Sequence, residues 1–378
     1  MTAINFPSSP SNAATHAVGD VTYVYSTAKG AWEKPSAAVA TIRVLLVGAG
    51  GSPGYKNAGA GGGGGVIKQN KDVSIGVTYA ISVGVGSAGA SDTDDPGIVG
   101  GDTSLGTGST LLLRALGGGG GAGYNQRKGT SRGTGGGDNM GYHHQKLAWD
   151  YMDAGSVPIY GDAARQGYAG GMHFEYSGSA SNKFGGAGGG AGEVGGNYHK
   201  NQSPTTSSAY YVETATNPGN GKGGDGVQDD ITGTNTYYGG GGGGGCRDNG
   251  RQGNNQAELT INSGHGGLGG GGHRITKRID QVTPSNTATY WLNESPNSNW
   301  SAEEDNGDPS TYGVDGLGGG GGSGSKGTGS YYGGDGGDGI MYIRSATALA
   351  PTVVGAATTT VIGSDTLYKW TGAGSITY

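Results

Sequence analysis

Val39 to Val47 (VATIRVLLV) is a β-branched, aliphatic run that passes directly into Gly48-Ala49-Gly50-Gly51, and its composition predicts a strand. Upstream, Val21-Thr22-Tyr23-Val24-Tyr25-Ser26 alternates with a period of two, Ala28-Lys29-Gly30 reads as a turn, and Ala31-Trp32-Glu33 is placed to pair back. A second strand pair is expected at Gly64–Gln69 and Val77–Val85, and another strand at Thr110–Leu116. Ile340–Arg344 reads as a closing strand, and Thr366–Thr371 with Ser375–Tyr378 as a terminal hairpin. Only Gln145–Met152 carries a helical pattern. The pattern divides the chain into a small N-terminal β module (1–37), a glycine-rich body (38–347) and a C-terminal β-hairpin module (348–378).

Between these strands lie runs with no hydrophobic pattern at all. Gly239–Gly245 is seven consecutive glycines, and Gly61–Gly65, Gly117–Gly121, Gly269–Gly272 and Gly318–Gly322 repeat the theme. Glycine supplies 89 of 378 residues, against roughly 7% in an ordinary domain. Such a composition suggests disorder. Two features oppose that: net charge is only −6, and the chain carries 22 Tyr and 5 Trp, whereas disordered chains are poor in aromatics. On this reading an ordinary side-chain core is not what folds the chain.

Glycine loses more backbone entropy on ordering than any other residue, so main-chain hydrogen bonds must compensate. A left-handed extended helix with three residues per turn makes no internal hydrogen bonds and points its amides and carbonyls outward. Without Cβ atoms, several such helices can lie side by side and bond to one another. Gly266-Gly267-Leu268-Gly269-Gly270-Gly271, Gly185-Gly186-Ala187-Gly188-Gly189-Gly190 and Gly333-Gly334-Asp335-Gly336-Gly337-Asp338 carry the three-residue period this requires. Seven residues would span roughly 22 Å at about 3.1 Å each. Proline is scarce and the glycine repeat broken, which argues against collagen. The expected fold is irregular and all-β-like. Stacked polyglycine-II helices form a glycine-rich sandwich, with a few β-strands, long aromatic-rich loops and small β modules at both termini.

The loops are the insertions Asp138–Phe184, Asn197–Pro218, Cys246–Ser263 and His273–Tyr312, with a shorter one at Val227–Tyr238. They carry Tyr142, His143, His144, Trp149, Tyr151, Tyr160, Tyr168, Tyr198, Tyr210, Tyr211, Tyr237, Tyr238, Trp291 and Trp300. Tyr and Trp offer large contact area with few torsions to freeze, which suits a binding surface. The competing role for each is to clamp a loop onto the lattice edge.

Other chemistries find less support. Gly333–Met341 fits one copy of a calcium-binding nonapeptide, but that site needs stacked copies and no second full match exists. Asp92, Asp94, Asp95 and Glu303, Glu304, Asp305 read as solvated turns. Val44–Pro53 resembles a dinucleotide turn, but Pro53 occupies the third glycine position and no helix follows. The seven histidines show no zinc spacing, and the lone Cys246 excludes an intramolecular disulfide. Glu175, Glu193, Glu213 and Asp150 give no reason to pair any two carboxylates for glycan cleavage. Accordingly no catalytic residue, cofactor or metal is assigned, and no enzyme activity is expected. The slightly acidic balance gives no reason to expect nucleic acid. Met1–Thr15 lacks the basic and apolar regions of a signal peptide, and Thr41 and Arg43 interrupt the apolar stretch Ala37–Val47.

RVLLVGAGG (Arg43–Gly51), VTYAISVGVG (Val77–Gly86), GGDTSLG (Gly100–Gly106), ALGGGGGAG (Ala115–Gly123) and GGDGGDGIMYIR (Gly333–Arg344) occur in an order that resembles the glycine-rich tail-fibre adhesins of tailed bacteriophages. Ile4–Pro35 is similar to short modules in virion proteins of marine cyanobacterial phages. The resemblance covers the framework, about half the chain, and none of the insertions. It implies a virion tail-fibre tip that displays loops to a host surface receptor, either an outer-membrane protein or a lipopolysaccharide glycan. It also implies contact with other tail-fibre proteins, and leaves monomer or homotrimer open. The alternatives are a non-adhesive structural or ice-binding glycine protein, and a surface-glycan depolymerase.

Overall fold

Alternation at the N-terminus builds a three-stranded antiparallel sheet from β1 (Thr15–Val18), β2 (Val21–Ser26) and β3 (Ala31–Glu33), in that spatial order. Its apolar side is aromatic: Phe6 stacks on Trp32 at 5.3 Å and meets Tyr23 edge-on at 5.0 Å. The computed structural model describes residues 6–8, 10–11, 13–18, 21–33, 38–55, 59–90, 96–108, 110–123, 129–130, 134–135, 166–171, 173–174, 185–196, 198–199, 221–244, 264–273, 312–323 and 333–378. Among them there is no α-helix. The helical pattern at Gln145–Met152 lies outside the described residues.

The expected strands form one large antiparallel sheet. Its members are β4 (Val39–Val47), β5 (Val66–Ser74), β6 (Thr78–Ser82), β7 (Thr103–Thr107) and β8 (Thr110–Ala115). Smaller pairs come from β9 (His173–Phe174) with β10 (Tyr198–His199), and from β11 (Val227–Asp229) with β12 (Thr236–Tyr238). The large sheet is completed by β13 (Ile340–Ala346), β14 (Thr352–Ile362) and β15 (Asp365–Thr377). Its order is β5-β4-β13-β15-β6-β7-β8, with β14 paired to β15, and contact between β5 and β8 nearly closes it into a barrel.

Two pairings depart from the local pattern. β5 and β6 do not pair with each other: β5 joins β4, while β6 joins β15 and β7. At the turn between them, Gly76 adopts φ +81° and donates to the Tyr378 carbonyl, which hands the chain to β15. Thr366–Thr371 and Ser375–Tyr378, expected as the two arms of a hairpin, instead follow one strand, β15; its hairpin partner is β14, and because β15 also runs along β13 and β6 that hairpin is built into the sheet.

Both faces of the sheet's centre are covered. On β4, alternate residues Ile42, Val44 and Leu46 join Leu105, Leu113, Met341, Ile343, Trp370 and Ile376 in one core. Leu45 and Val47 point the other way, into a second core with Ile231, Tyr238, Ile340, Tyr342 and Leu367. That is why Val44–Val47 is buried without alternation. These are ordinary aliphatic and aromatic cores, contrary to the expectation that side chains supply none. The apolar residues are few but concentrated in strands, and each fully buried one contributes about 1.5–3 kcal/mol.

The glycine runs carry no strand or helix and bond to one another. Gly59, Gly62 and Gly65 donate to Ala122, Gly119 and Leu116; Ala60 and Gly63 to Gly186 and Gly189; Gly61 and Gly64 to Gly321 and Gly318. Every third residue of one run therefore addresses the same neighbour, at 2.7–3.1 Å. The same run accepts from Gly48, Gly51, Gly54 and Gly242. Gly239–Gly244 repeats the pattern, with Gly240 and Gly243 donating to Gly269 and Gly272, and Gly241 and Gly244 to Gly224 and Gly221. A Cβ on Gly61 would fall on the Gly51 carbonyl, and one on Gly64 on the Gly48 carbonyl. Glycine is required there by close approach of backbones. Each bond contributes about 0.5–1.5 kcal/mol net, whereas ordering a residue costs about 1–2 kcal/mol. The runs roughly break even, so the two cores must supply the surplus.

Two outcomes follow for stability. Gly61→Ala should destabilise the protein by at least about 3 kcal/mol, because the clashing atom is backbone and overpacking alone costs about 1–3 kcal/mol. Gly372→Ala, with nothing within 4 Å of its Cβ, should stay within about 0.5 kcal/mol; urea unfolding followed by circular dichroism separates the two. Burial also pushes the Tyr378 phenol up to about 12 and raises those of Tyr238 and Tyr342. A phenol with a raised folded-state pKa contributes stability that is complete below its unfolded value of about 10 and lost as pH rises through the folded one. The urea midpoint should hold to about pH 10 and fall towards pH 12, and Tyr378→Phe should move that decline upward.

Candidate functional site

The glycine segments alternate in direction, as their hydrogen-bond registers record. Where donors and acceptors advance together the segments are parallel, as for Ala60 and Gly63 donating to Gly186 and Gly189. Where they count oppositely the segments are antiparallel, as for Gly241 and Gly244 donating to Gly224 and Gly221. Following the chain out of β4 and β8 defines one direction, away from the sheet, and the entries into β5 and β13 define the other.

Two layers result. Near the sheet, Gly226 donates to Leu268, Gly239 to Leu317, Gly240 to Gly269 and Gly318 to Asp338. The chain reverses there by short connections, with Gly269 and Gly270 at φ +97° and +88° and Gly316 and Gly318 at +75° and +67°. At the far end, Gly244 donates to Gly221, Gly223 to His265, Gly243 to Gly272, Ser323 to Gly243 and Gly334 to Gly322. These are the residues next to which the sequence continues into 200–220, 245–263, 274–311 and 324–332. The framework ends of four long stretches thus meet in one layer, opposite the sheet. That layer is the candidate site.

Polar side chains finish the framework where a neighbouring carbonyl is missing. Asp338 accepts the Gly86 amide at 2.7 Å and Asp335 that of Gly89 at 2.6 Å. Asp225 accepts from Leu268 at 2.9 Å, and Asp102 from Gly117 at 2.7 Å. Buried Gln166 accepts from Leu116 at 2.8 Å and donates to the Arg114 carbonyl at 2.9 Å. The aspartates of the nonapeptide-like stretch Gly333–Met341 are thereby engaged with main-chain amides. Among the described residues no group of three or more His, Cys, Asp or Glu is arranged around a common point for a metal.

Tyr238 is a core residue. It is 1% exposed, lies 6.3 Å from Tyr342 ring to ring, and sits in the β11–β12 hairpin at the sheet end. The alternation of β12 turns it inward, so it cannot belong to a contact surface. Tyr237, half-buried on the same strand, shares that location at the wrong end for the candidate layer. The hairpin is held to β4 by Arg43, which donates to Asp229 at 2.8 Å and Asp230 at 2.5 Å. The Arg43 guanidinium keeps the Asp230 carboxyl below the usual carboxylate range.

Tyr168 is half-buried within a framework segment, its amide donating to Gly190 at 3.0 Å. Tyr198 pairs through its backbone with His173 in β9–β10. Tyr142, His143, His144, Trp149, Tyr151, Tyr160, Tyr210, Tyr211, Trp291 and Trp300 lie outside the described residues. Two residues of the candidate layer escaped the sequence reading. His265 and His273 flank one glycine segment, their rings 5.6 Å apart and edge-to-face, and His273 Nδ1 accepts the Gly266 amide at 3.2 Å. Their signal in the sequence is position: each stands at the boundary between a glycine segment and a long insertion.

Comparison with curated proteins and with solved structures returned no match. The family model described as a glycine-rich domain matches residues 26–346, most of the chain and all of its glycine framework. The chain belongs to this glycine-rich domain family.

Proposed function

We propose that this chain is a receptor-binding adhesin at the tip of a phage tail fibre, and that its glycine segments are polyglycine-II helices packed into a lattice. The observation that carries the reading is the convergence of segment ends in one layer opposite the sheet, where the long insertions begin. The lattice part is supported by the hydrogen-bond period of three, the repeat of a three-per-turn extended helix.

The mechanism is passive recognition. A backbone-bonded platform holds the roots of the loops, so less conformational freedom is lost on contact. Repeated fibres on one virion multiply weak contacts through avidity. Tyr210, Tyr211, Trp291 and Trp300, in the stretches that adjoin the far layer, provide flat faces for a receptor on a bacterial or cyanobacterial surface; Tyr142, Trp149 and Tyr151 belong to 136–165, which rejoins the framework at Gln166, beside Val66 and Leu116 at the sheet end. That receptor is an outer-membrane protein or a lipopolysaccharide glycan, and the remaining partners are other tail-fibre proteins of the virion.

Exchange of residues 200–220, 245–263 and 274–311 for those of a relative with another host tests this. The chimera should keep the parental unfolding midpoint while its binding to whole cells moves to the new host. Cells stripped separately by protease and by periodate then assign the receptor to protein or glycan. Retention of the parental binding by a folded chimera would overturn the proposal.

A further inference from the structure

Among the described residues, β14 has a strand partner on one side only. It pairs with β15 from Thr352↔Thr377 to Ile362↔Asp365, and among the described residues no backbone hydrogen bond from another segment reaches it. A free row of amides and carbonyls readily pairs with another strand, and proteins usually protect it with charge, proline or a covering element. Thr352–Ile362 (TVVGAATTTVI) contains no charged residue and no proline. Val354 and Val361 are 59% and 67% exposed. The strands at the ends of the sheet order are different, with Lys68, Lys71 and Asp72 on β5 and Arg114 on β8.

We propose that β14 is where a second copy of this chain docks, its own β14 adding antiparallel, edge to edge, to make a two-fold dimer with a continuous sheet. The occupant follows from the strand's chemistry. A strand without charge meets no like-charge repulsion when it pairs with its own copy, whereas β5 and β8 already lie against each other where the sheet nearly closes. The bulge between Gly355 and Ala357, with Gly355 at φ +99°, interrupts the strand and leaves Ala357–Ile362 as its regular part, about 20 Å long. Opposed residues in an antiparallel ladder either both turn their hydrogen-bonding groups towards the partner or both turn them away. A two-fold axis must therefore set one residue against its own copy, and the centre of the regular part makes that residue Thr359 or Thr360. Facing threonines are a favourable cross-strand pair. The exposed Val361 then lies against Ala357 or Thr359 of the other copy.

Sedimentation equilibrium of the full chain should give a concentration-dependent dimer. Thr359→Lys with Val361→Lys should make it monomeric with an unchanged circular dichroism spectrum. In a Cys246→Ser background, Thr359→Cys or Thr360→Cys should yield a disulfide-linked dimer on mild oxidation, and Thr352→Cys, beyond the bulge, should not. A chain monomeric at every concentration, a dimer that survives the lysine pair, or equal cross-linking at position 352 would overturn the proposal. None of these readouts involves a host receptor, so they stand or fall apart from the adhesin reading.

Discussion

The glycine framework depends on one interaction, the hydrogen bond from a glycine amide to the carbonyl of a neighbouring glycine segment. Because successive donors turn to different neighbours and return every third residue, each segment is tied on several sides at once. A β-ladder binds in one plane; this arrangement binds around an axis. It works only where backbones approach closely enough to leave no room for a Cβ, as at Gly50, Gly61 and Gly64.

That interaction is strong in number and weak per residue. One net bond of about 1 kcal/mol barely offsets the ordering of a glycine. The conventional cores around Trp370 and around Tyr238 therefore act as the anchor, and the segments grow from strands whose register is already fixed. At the margins, where a segment lacks a neighbour, Asp102, Asp225, Asp335 and Asp338 stand in for the missing carbonyl. An acidic residue at the third position of a glycine triplet has a structural role here before any other.

The two ends of the framework have opposite characters. Several connections at the sheet end are short and need the left-handed backbone that glycine allows, although 136–165 also rejoins the framework there, at Gln166 beside Val66 and Leu116. The far end is where long insertions enter and leave, beside His265 and His273.

Much of this was legible in the chain itself. Val39–Val47 coincides with β4, Thr110–Leu116 and Ile340–Arg344 mark β8 and β13, and Val21–Ser26 is β2. Hydrophobic runs flanked by glycine leave little choice of element, and the triplet spacing of glycine anticipated bonding with a period of three. The pairing of those pieces was not legible. Glycine segments carry no side chains to distinguish one from another, so nothing local says that Gly63 will meet Gly189 or Gly242 meet Gly61. Likewise, nothing in Thr366–Thr371 announces that β15 will serve both β13 and β6, or in Tyr237-Tyr238 that one ring turns into a core. Sequence determined where the backbone is bare and where it is clothed; only the folded chain, through registers set by its few apolar strands, decided which bare stretches lie together.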